Sequence, residues 1–191
     1  MVEVNPLVML KSINLNSQTF TFRSPKLSDL DEMWRYINQL SQERTFIRYQ
    51  GEEISLVDEK KYLEDILAKI NKGKMVNILV FHQKDKLVGS AQVVQGSLTE
   101  KHLGKFGIAL LKDYRGFGLG RTLMQLTLTE AKKKLAGLEI VGLSVWKRNK
   151  VARNLYRQFG FKKYGTLPKG VKTPDGYDDH IFMYLDISQL D

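Results

Sequence analysis

Three glycines at alternate positions, Gly116, Gly118 and Gly120, lie between a strand-like run and an amphipathic segment. The run at 106–111 is apolar, and the segment that follows the glycines repeats apolar residues at the three- and four-residue spacing of a helix. Glycines let a backbone approach a ligand closely, and the first N–H groups of a helix have no internal partner. This order of strand, glycine-rich turn and helix therefore predicts a site for an anion such as phosphate.

The spacing of these glycines excludes two common phosphate-binding loops. A dinucleotide fingerprint would need its last glycine at Arg121 or Leu123, and a Walker loop would need a Gly-Lys pair that does not follow. The pattern that fits is R-x-x-G-x-G, formed by Arg115, Gly118 and Gly120. It resembles the acetyl-CoA pyrophosphate loop of the GNAT N-acetyltransferase superfamily. The alternative is an ordinary glycine-rich connection between a strand and a helix.

A second stretch, at 145–161, carries the pattern V-x-x-x-N-x-x-A-x-x-L-Y-x-x-x-G-F. Asn149 suits the N-cap of a helix and Gly160 suits its end, and Tyr156 lies on the same side as Asn149. The pattern is similar to the second signature of the GNAT superfamily, in which the Asn contacts the cofactor and the Tyr protonates the departing CoA thiolate. Alone, the stretch fits a capped helix with a half-buried tyrosine equally well. The two signatures together, in this order, support the resemblance.

The resemblance implies a set of residues that bind acetyl-CoA. Carried over position by position, this set is Ile108, Leu110, Arg115, Gly116, Phe117, Gly118, Leu119, Gly120, Arg121, Asn149 and Tyr156. In the family, the strand that matches 103–111 bulges and splays from its neighbour, so that N–H groups near Ile108 and Leu110 face the thioester. Gly107 is compatible with such a bulge, and the alternative is that Gly107 and Ile108 are ordinary strand residues. A backbone donor there would stabilise the oxyanion of the tetrahedral intermediate, and Tyr156 would protonate the leaving group.

Composition limits the chemistry that is available to the chain. Its 191 residues suffice for one domain with a sizeable core. The sequence has no cysteine, which excludes disulfides, thiolate catalysis and cysteine-based zinc sites, and three histidines are too few to suggest a histidine-rich metal site. No apolar run near the start is long enough for a signal peptide core or a membrane span. We therefore expect a cytoplasmic protein that holds no metal.

The net charge of +9 is distributed unevenly along the chain. Residues 101–163 include fifteen basic and three acidic residues, and residues 27–66 include ten acidic and five basic ones. The basic part contains both signatures and suits a ligand with several phosphates, although solvated helix faces explain the lysines at 132–134 as well. In the GNAT fold the acidic part would form much of the acceptor site. We therefore expect a cationic acceptor (a polyamine, an amino sugar or a peptide amine), with an acidic solvated helix face as the alternative.

Periodicity and turn residues predict the order of elements along the chain: a strand, two helices, three strands, a helix, a strand, a helix and two closing strands. This order matches the GNAT fold, a single-domain α/β fold with a mixed central sheet of about seven strands flanked by about four helices. Residues 19–187 are assigned to one GNAT acetyltransferase domain. Residues 1–18 lack clear periodicity and are expected to form an N-terminal arm or an extra strand.

The general base is less well defined by the sequence. An α-amine with a pKa near 8 is partly neutral at neutral pH, whereas a lysine amine with a pKa of about 10.4 needs more help to lose its proton. The candidates, acting directly or through water, are Glu43, Glu100, His102, Asp178, Asp179 and His180. Asp179 and Glu43 are preferred, because the GNAT fold brings the region after the first helix and the last strand together over the acceptor site.

The predicted function is transfer of the acetyl group of acetyl-CoA to an amine by direct attack in a ternary complex, in a monomer or homodimer. Two other functions fit part of the sequence. A CoA-binding module without catalysis would keep Gly118 and Gly120 but would not need Tyr156. An RNA- or ribosome-associated protein would use the basic residues, yet the sequence lacks the motif of a known RNA-binding module.

Overall fold

The computed structural model describes residues 9–15, 17–83 and 85–190. Within them, eight strands form one sheet in the order β1-β2-β3-β4-β5-β6-β8-β7. The strands are β1 Met9–Leu15, β2 Gln18–Arg23, β3 Met75–His82, β4 Lys86–Gln95, β5 Leu103–Leu110, β6 Ile140–Trp146, β7 Lys162–Thr173 and β8 Gly176–Asp186. The helices are α1 Leu30–Gln42, α2 Leu56–Asn71, α3 Leu119–Lys134 and α4 Lys150–Gln158. Neighbouring strands are antiparallel except β5 and β6, which are parallel.

The predicted α/β class with a mixed sheet and four helices is confirmed, and the described residues contain eight strands where about seven were expected. The additional strand is β1, which lies in the stretch predicted to be an arm or an extra strand and pairs with β2 from Leu15↔Gln18 onwards. Residues 1–8 and Asn16, which belong to that prediction, lie outside the described residues. The assignment of 19–187 to one domain stays a prediction.

The two faces of the sheet carry different helices. On one face, α3 and α4 approach β5 closely: a β-carbon placed on Gly120 would lie 3.4 Å from Leu110 and 3.7 Å from Leu155. On the other face, the Tyr36 hydroxyl of α1 donates a hydrogen bond to the Ala109 carbonyl oxygen at 2.8 Å. The sheet therefore separates an α3/α4 face from an α1/α2 face. None of the helices in the described ranges is both long and apolar enough to cross a membrane.

Helix α3 shows why the chain after the glycine-rich turn is held firmly. Its buried residues recur every three to four positions and pack across β3 and β4: Leu119, Leu123, Met124, Thr127, Leu128 and Ala131. Each of these side chains is completely or almost completely removed from solvent. The first turn of this helix is therefore fixed relative to the sheet.

Strands β5 and β6 pair only over their first residues, from Leu103↔Ile140 to Lys105↔Gly142. Beyond this point β6 continues beside β8 to Trp146, and β5 continues beside β4 to its end. The C-terminal halves of β5 and β6 are not paired with each other, so a gap opens between the two strands. The divergence of this strand from its neighbour, which the resemblance to the GNAT superfamily implied, is therefore present.

The bulge expected near Gly107 is absent. The register between β4 and β5 runs without a shift from Gly89↔Leu110 to Gln95↔Gly104. Gly107 is therefore a regular strand residue opposite Gln92, and that expectation was wrong. The gap arises because β6 follows β8 while β5 follows β4, and no extra residue in β5 is needed to produce it.

Candidate active site

The turn that follows β5 leaves a row of backbone donors without acceptors. Gly116 and Gly118 have φ values of +86° and +80°, a left-handed conformation that other residues rarely adopt. The first hydrogen bond of α3 runs from the Thr122 N–H to the Gly118 carbonyl oxygen at 3.1 Å. Within the described part of the chain, the N–H groups of residues 116–121 donate to no protein acceptor. A row of consecutive donors at the start of a long helix can bind an anion.

The space over this turn is open, although the turn itself is anchored. A β-carbon on Gly116 or Gly118 would meet no atom within 4 Å. Phe117, between them, is 48% exposed, whereas Leu119 is fully buried in the core. The backbone of the turn is therefore accessible to a ligand while its C-terminal end is held by packing.

The Arg115 side chain forms hydrogen bonds within the protein. Its Nε donates to the Leu110 carbonyl oxygen at 2.8 Å, and its Nη2 donates to Glu43 Oε2 at 2.5 Å. The other oxygen of Glu43 accepts a hydrogen bond from the Lys112 N–H at 2.8 Å. The Arg115–Glu43 pair therefore ties the end of β5 to the residue that follows α1, and it fixes the start of the glycine-rich turn.

Arg121 connects the two helices of the α3/α4 face. Its guanidinium donates a hydrogen bond to Gln158 and lies 5.5 Å from the centre of the Phe159 ring. Because Arg121 is exposed and one residue past the last glycine, it borders the row of free donors while it holds α3 beside α4.

The backbone of β5 directs alternate N–H groups toward the gap. The Leu111 N–H donates to the Val88 carbonyl oxygen of β4 at 2.9 Å. In an antiparallel pair this bonding alternates, so the odd-numbered residues here bond to β4 and the even-numbered ones face the other way. Ile108 and Leu110 therefore direct their N–H groups toward β6, beyond Lys105, where β6 no longer pairs with β5. These are the two residues predicted to face the thioester.

Tyr156 lies in α4 and packs on β5 just before the gap. Asn149 caps this helix as predicted, since its Oδ1 accepts the Ala152 N–H at 3.1 Å. The ring of Tyr156 meets the Phe106 ring edge-on with 6.3 Å between centroids, and Tyr156 is only 6% exposed. Burial raises the pKa of Tyr156 to about 12, and its hydroxyl has no hydrogen-bond partner in the described ranges. The phenol is therefore protonated at neutral pH, and its proton is not used elsewhere.

The sequence model described as "Acetyltransferase (GNAT) family" matches residues 32–161, which include β5, the glycine-rich turn and α4. The chain belongs to the GNAT family. The [ribosomal protein bS18]-alanine N-acetyltransferase of Escherichia coli K12 is 33% identical over 118 residues, which are 62% of this chain and 76% of that relative.

Two solved structures show the shared fold. The GNAT acetyltransferase of Streptococcus pneumoniae has a TM-score of 0.78 and 22% identity, covering 87% of this chain and 98% of its own. The structure of yncA from Salmonella typhimurium with its cofactor acetyl-CoA has a TM-score of 0.75 and 16% identity, covering 89% of this chain and 95% of its own. At these identities the likeness concerns the fold.

As a GNAT protein, the chain is an acetyl-CoA-dependent N-acetyltransferase. Its residues fit that cosubstrate, because the free N–H groups of residues 116–121 suit a diphosphate and the gap beside Ile108 and Leu110 presents donors for an acyl group. No cluster of three potential metal ligands occurs in the described ranges.

In each of the two predicted bases, Asp179 and Glu43, both carboxylate oxygens accept hydrogen bonds. Asp179 accepts hydrogen bonds from Lys147 Nζ and from the Lys169 N–H, each at 3.0 Å, and these donors, Lys147 above all, lower its pKa. Glu43 is held by Arg115 and the Lys112 N–H, as described above. Each oxygen keeps a second lone pair that can take a proton, but the cationic partner of each carboxylate, Lys147 or Arg115, favours its ionised form.

The other candidate bases are less well placed. Glu100 and His102 precede β5, at the end of the strand that is opposite to Leu110 and its free N–H; eight strand residues span roughly 26 Å. Asp178 is buried and accepts hydrogen bonds from the Arg148 backbone N–H and Nε. His180 packs edge-on against a phenylalanine of its own strand.

A cavity of about 420 Å³ lies on the α1/α2 face and reaches Gly107 and Ile108 of β5. Its walls are mainly aliphatic and aromatic side chains. Of the ten acidic residues between 27 and 66, Glu59 alone lines it. Others form ion pairs elsewhere, as Glu32 does with Arg35. The acidity of this stretch is therefore mostly surface charge, which was the alternative interpretation.

Sequence reasoning missed Glu59, because it lies within the charged run at 58–61. Its spacing could have revealed it: Glu59, Leu63 and Ile66 follow each other at four and three residues, and all three are buried. Glu59 is only 4% exposed, and burial raises the pKa of its carboxyl to about 7. A buried acid on the apolar side of an amphipathic helix indicates a function other than solubility.

Proposed function

We propose that this N-acetyltransferase acetylates a primary amine by direct attack in a ternary complex, and that the acceptor enters through the cavity on the α1/α2 face. The observation that carries this proposal is the continuity of the site. The gap beside Ile108 and Leu110 leads along β5 directly into the free N–H groups of residues 116–121, and the cavity reaches the same strand from the other face.

In the proposed reaction, the amine nitrogen attacks the carbonyl carbon of the thioester. The carbonyl oxygen becomes an oxyanion and accepts a hydrogen bond from the N–H of Ile108 or Leu110, a contact worth about 3 kcal/mol in related sites. The carbon–sulfur bond then breaks, and the sulfur takes the proton of the Tyr156 hydroxyl. The nitrogen gives its extra proton to the base, directly or through water, and the Tyr156 phenolate regains a proton from solvent. The products are an amide and CoA with a free thiol.

The raised pKa of Tyr156 is compatible with this role. A thiol in water has a pKa of about 8.5, so a phenol with a pKa of about 12 would be a weak donor to a solvated thiolate. A thiolate that forms in the dry gap is destabilised by the same desolvation, and its proton affinity rises as well. Tyr156 then keeps its proton until the sulfur leaves.

The base stays a prediction. Asp179 and Glu43 are the candidates, and an α-amine would need the least help because about a tenth of it is neutral at pH 7. The name of the Escherichia coli relative, an alanine N-acetyltransferase for a ribosomal protein, supports a peptide amine as one acceptor to test. The apolar walls of the cavity support an acceptor with an alkyl portion.

The test is to incubate the protein with acetyl-CoA and a panel of peptides beginning with alanine, alkylamines, polyamines and amino sugars, and to follow the release of the CoA thiol. We expect thiol release that depends on a primary amine and is accompanied by the acetylated product in mass spectra. Binding of CoA without release of thiol for every class of amine would contradict the proposal.

A further inference from the structure

The floor of the cavity contains an acceptor atom that the transfer reaction does not use. Asn77 of β3, Gln92 of β4 and Gly107 of β5 form one row across three neighbouring strands. The Tyr62 hydroxyl and Asn77 Nδ2 both donate to Gln92 Oε1, each at 3.3 Å. Asn77 Oδ1 is buried and has no hydrogen-bond partner within the described ranges. A buried carbonyl oxygen without a donor is unfavourable unless a ligand or a water molecule supplies one.

Glu59 lines the same cavity from α2. Its carboxylate forms no hydrogen bond or ion pair with the described residues, although only 4% of the residue is exposed. An ionised carboxylate and an amide oxygen accept hydrogen bonds and donate none. Glu59 and Asn77 Oδ1 are therefore complementary to a group with several N–H donors and a positive charge.

The walls of the cavity favour an alkylammonium group over other cations. Three tyrosines line it, Tyr36, Tyr49 and Tyr62, and the faces of such rings attract cations. Most of the remaining lining is aliphatic and suits a chain of methylene groups. Arg48 and Lys105 also line the cavity, but both are exposed, so water screens their charge.

We propose that Glu59 and Asn77 Oδ1 bind a second ammonium group of the acceptor, distal to the amine that is acetylated. This inference rests on the proposed function. Asn77 and Gly107 are two strand spacings apart, about 10 Å, and Gly107 adjoins the Ile108 N–H that faces the gap. An acceptor with two ammonium groups on one alkyl chain spans this distance. A polyamine or a lysine side chain near the start of a peptide supplies the second group.

The experiment compares Glu59→Gln with Glu64→Gln, a matched control on the exposed side of α2. The acceptors are diaminoalkanes from diaminobutane to diaminodecane and monoalkylamines of the same chain lengths. We expect Glu59→Gln to raise the KM of the best diamine at least about tenfold, because a buried charge contact is lost. The KM of the matching monoamine should change less than about twofold, and Glu64→Gln should change neither.

Peptides distinguish the two sources of the second ammonium. Peptides that begin with alanine and carry either lysine or norleucine at the second position differ only in that charge. If a peptide lysine is the natural ligand, the KM of the lysine peptide rises in Glu59→Gln and that of the norleucine peptide does not. If a polyamine is the ligand, both peptides respond alike to the substitution, and spermidine shows the loss.

A binding measurement separates failure of this inference from failure of the proposed function. Calorimetry measures diaminooctane binding to the CoA-saturated protein without any turnover. Binding that is about tenfold weaker in Glu59→Gln than in Glu64→Gln supports the second ammonium site even if no amine releases thiol. The inference is overturned if wild-type protein binds no diamine, or if Glu59→Gln weakens diamines and monoamines equally or weakens neither.

Discussion

The two faces of the sheet offer different kinds of groups to the ligands proposed for them. On the α3/α4 face, the proposed cofactor site consists largely of backbone N–H groups, at the end of β5 and again in the glycine-rich turn and the first turn of α3. On the α1/α2 face, the cavity is lined by side chains from two helices, three strands and a connecting loop. The proposed cofactor site therefore depends on backbone conformation, and the proposed acceptor site depends on which side chains the fold brings together.

This difference means that substitutions should have separable effects. A change on the α3/α4 face should alter the binding of CoA or the chemical step for every acceptor. A change on the α1/α2 face should alter the choice of acceptor and leave CoA binding intact. The predictions that follow test this separation, beginning with the largest expected effect.

Tyr156→Phe removes the proposed proton donor and keeps the ring that packs on Phe106. We expect kcat to fall about a hundredfold for every acceptor, the usual range for loss of a general acid, while the Kd for CoA stays within a few-fold. Steady-state kinetics and calorimetry measure the two quantities. Tyr164→Phe, at a tyrosine that is 65% exposed, is the control. An unchanged kcat in Tyr156→Phe would reject the assignment.

Gly118→Ala tests the backbone conformation of the turn. At a φ of +80° a β-carbon costs about 1–2 kcal/mol, so the turn should relax and the Kd for CoA should rise about tenfold. Gly137→Ala is the matched control, because Gly137 has a φ of +77° and open space around it but lies after α3. Both variants should lose similar stability. Equal CoA affinity in the two variants would show that the glycine-rich turn does not bind the cofactor.

The conformation of the proposed cofactor site was predictable from the sequence because it is specified by residues close together in the chain. Gly116 and Gly118 reflect a left-handed backbone conformation, and Gly120 reflects close packing against Leu110 and Leu155. Asn149 caps α4, and Tyr156 lies seven residues later in that helix. The order of strands and helices was predictable for the same reason, since each element carries its own periodicity. The expected bulge at Gly107 was wrong. The divergence of β5 from β6 arises because β5 stays paired with β4 and β6 stays paired with β8, and this pairing cannot be deduced from the residues near Gly107.

The proposed acceptor site was not predictable because its residues are far apart in the chain. Glu59, Asn77 and Gly107 meet only through the pairing of three strands and the packing of α2. Counting charges indicated the stretch at 27–66 but could not single out Glu59, since most acids there are on the surface. The ion pair between Glu43 and Arg115 likewise depends on tertiary structure, because the two residues are far apart in the chain.

Glu43→Gln tests a contact that links the two faces. Removing the charge of Glu43 weakens its hydrogen bonds with Arg115 and with the Lys112 N–H. A partly exposed ion pair of this kind stabilises the folded protein by up to about 1 kcal/mol. We expect the KM for acetyl-CoA to rise about threefold, and if Asp179 is the base, the pH dependence of kcat keeps its shape. Loss of the acidic limb of that profile would instead identify Glu43 as the base.

Glu59→Gln should stabilise the protein at alkaline pH. Because burial raises the pKa of Glu59 from 4.5 to about 7, the unfolded chain ionises before the folded one, and the wild type loses stability as pH rises through this window. The glutamine does not titrate. The variant should therefore melt a few degrees higher at pH 8, since 1 kcal/mol corresponds to about 2–4 °C, and the difference should shrink at pH 5. If the melting temperatures of the two proteins differed equally at both pH values, the conclusion that the Glu59 carboxyl is buried and unpaired would be contradicted.

The most direct test of the whole account is a crystal structure with acetyl-CoA and a diamine that is not acetylated. The account predicts the diphosphate on the N–H groups of residues 116–121 and the acyl oxygen within hydrogen-bonding distance of the Ile108 or Leu110 N–H. It also predicts the CoA sulfur next to the Tyr156 hydroxyl. A diphosphate bound elsewhere, or an acyl group outside the gap between β5 and β6, would contradict it.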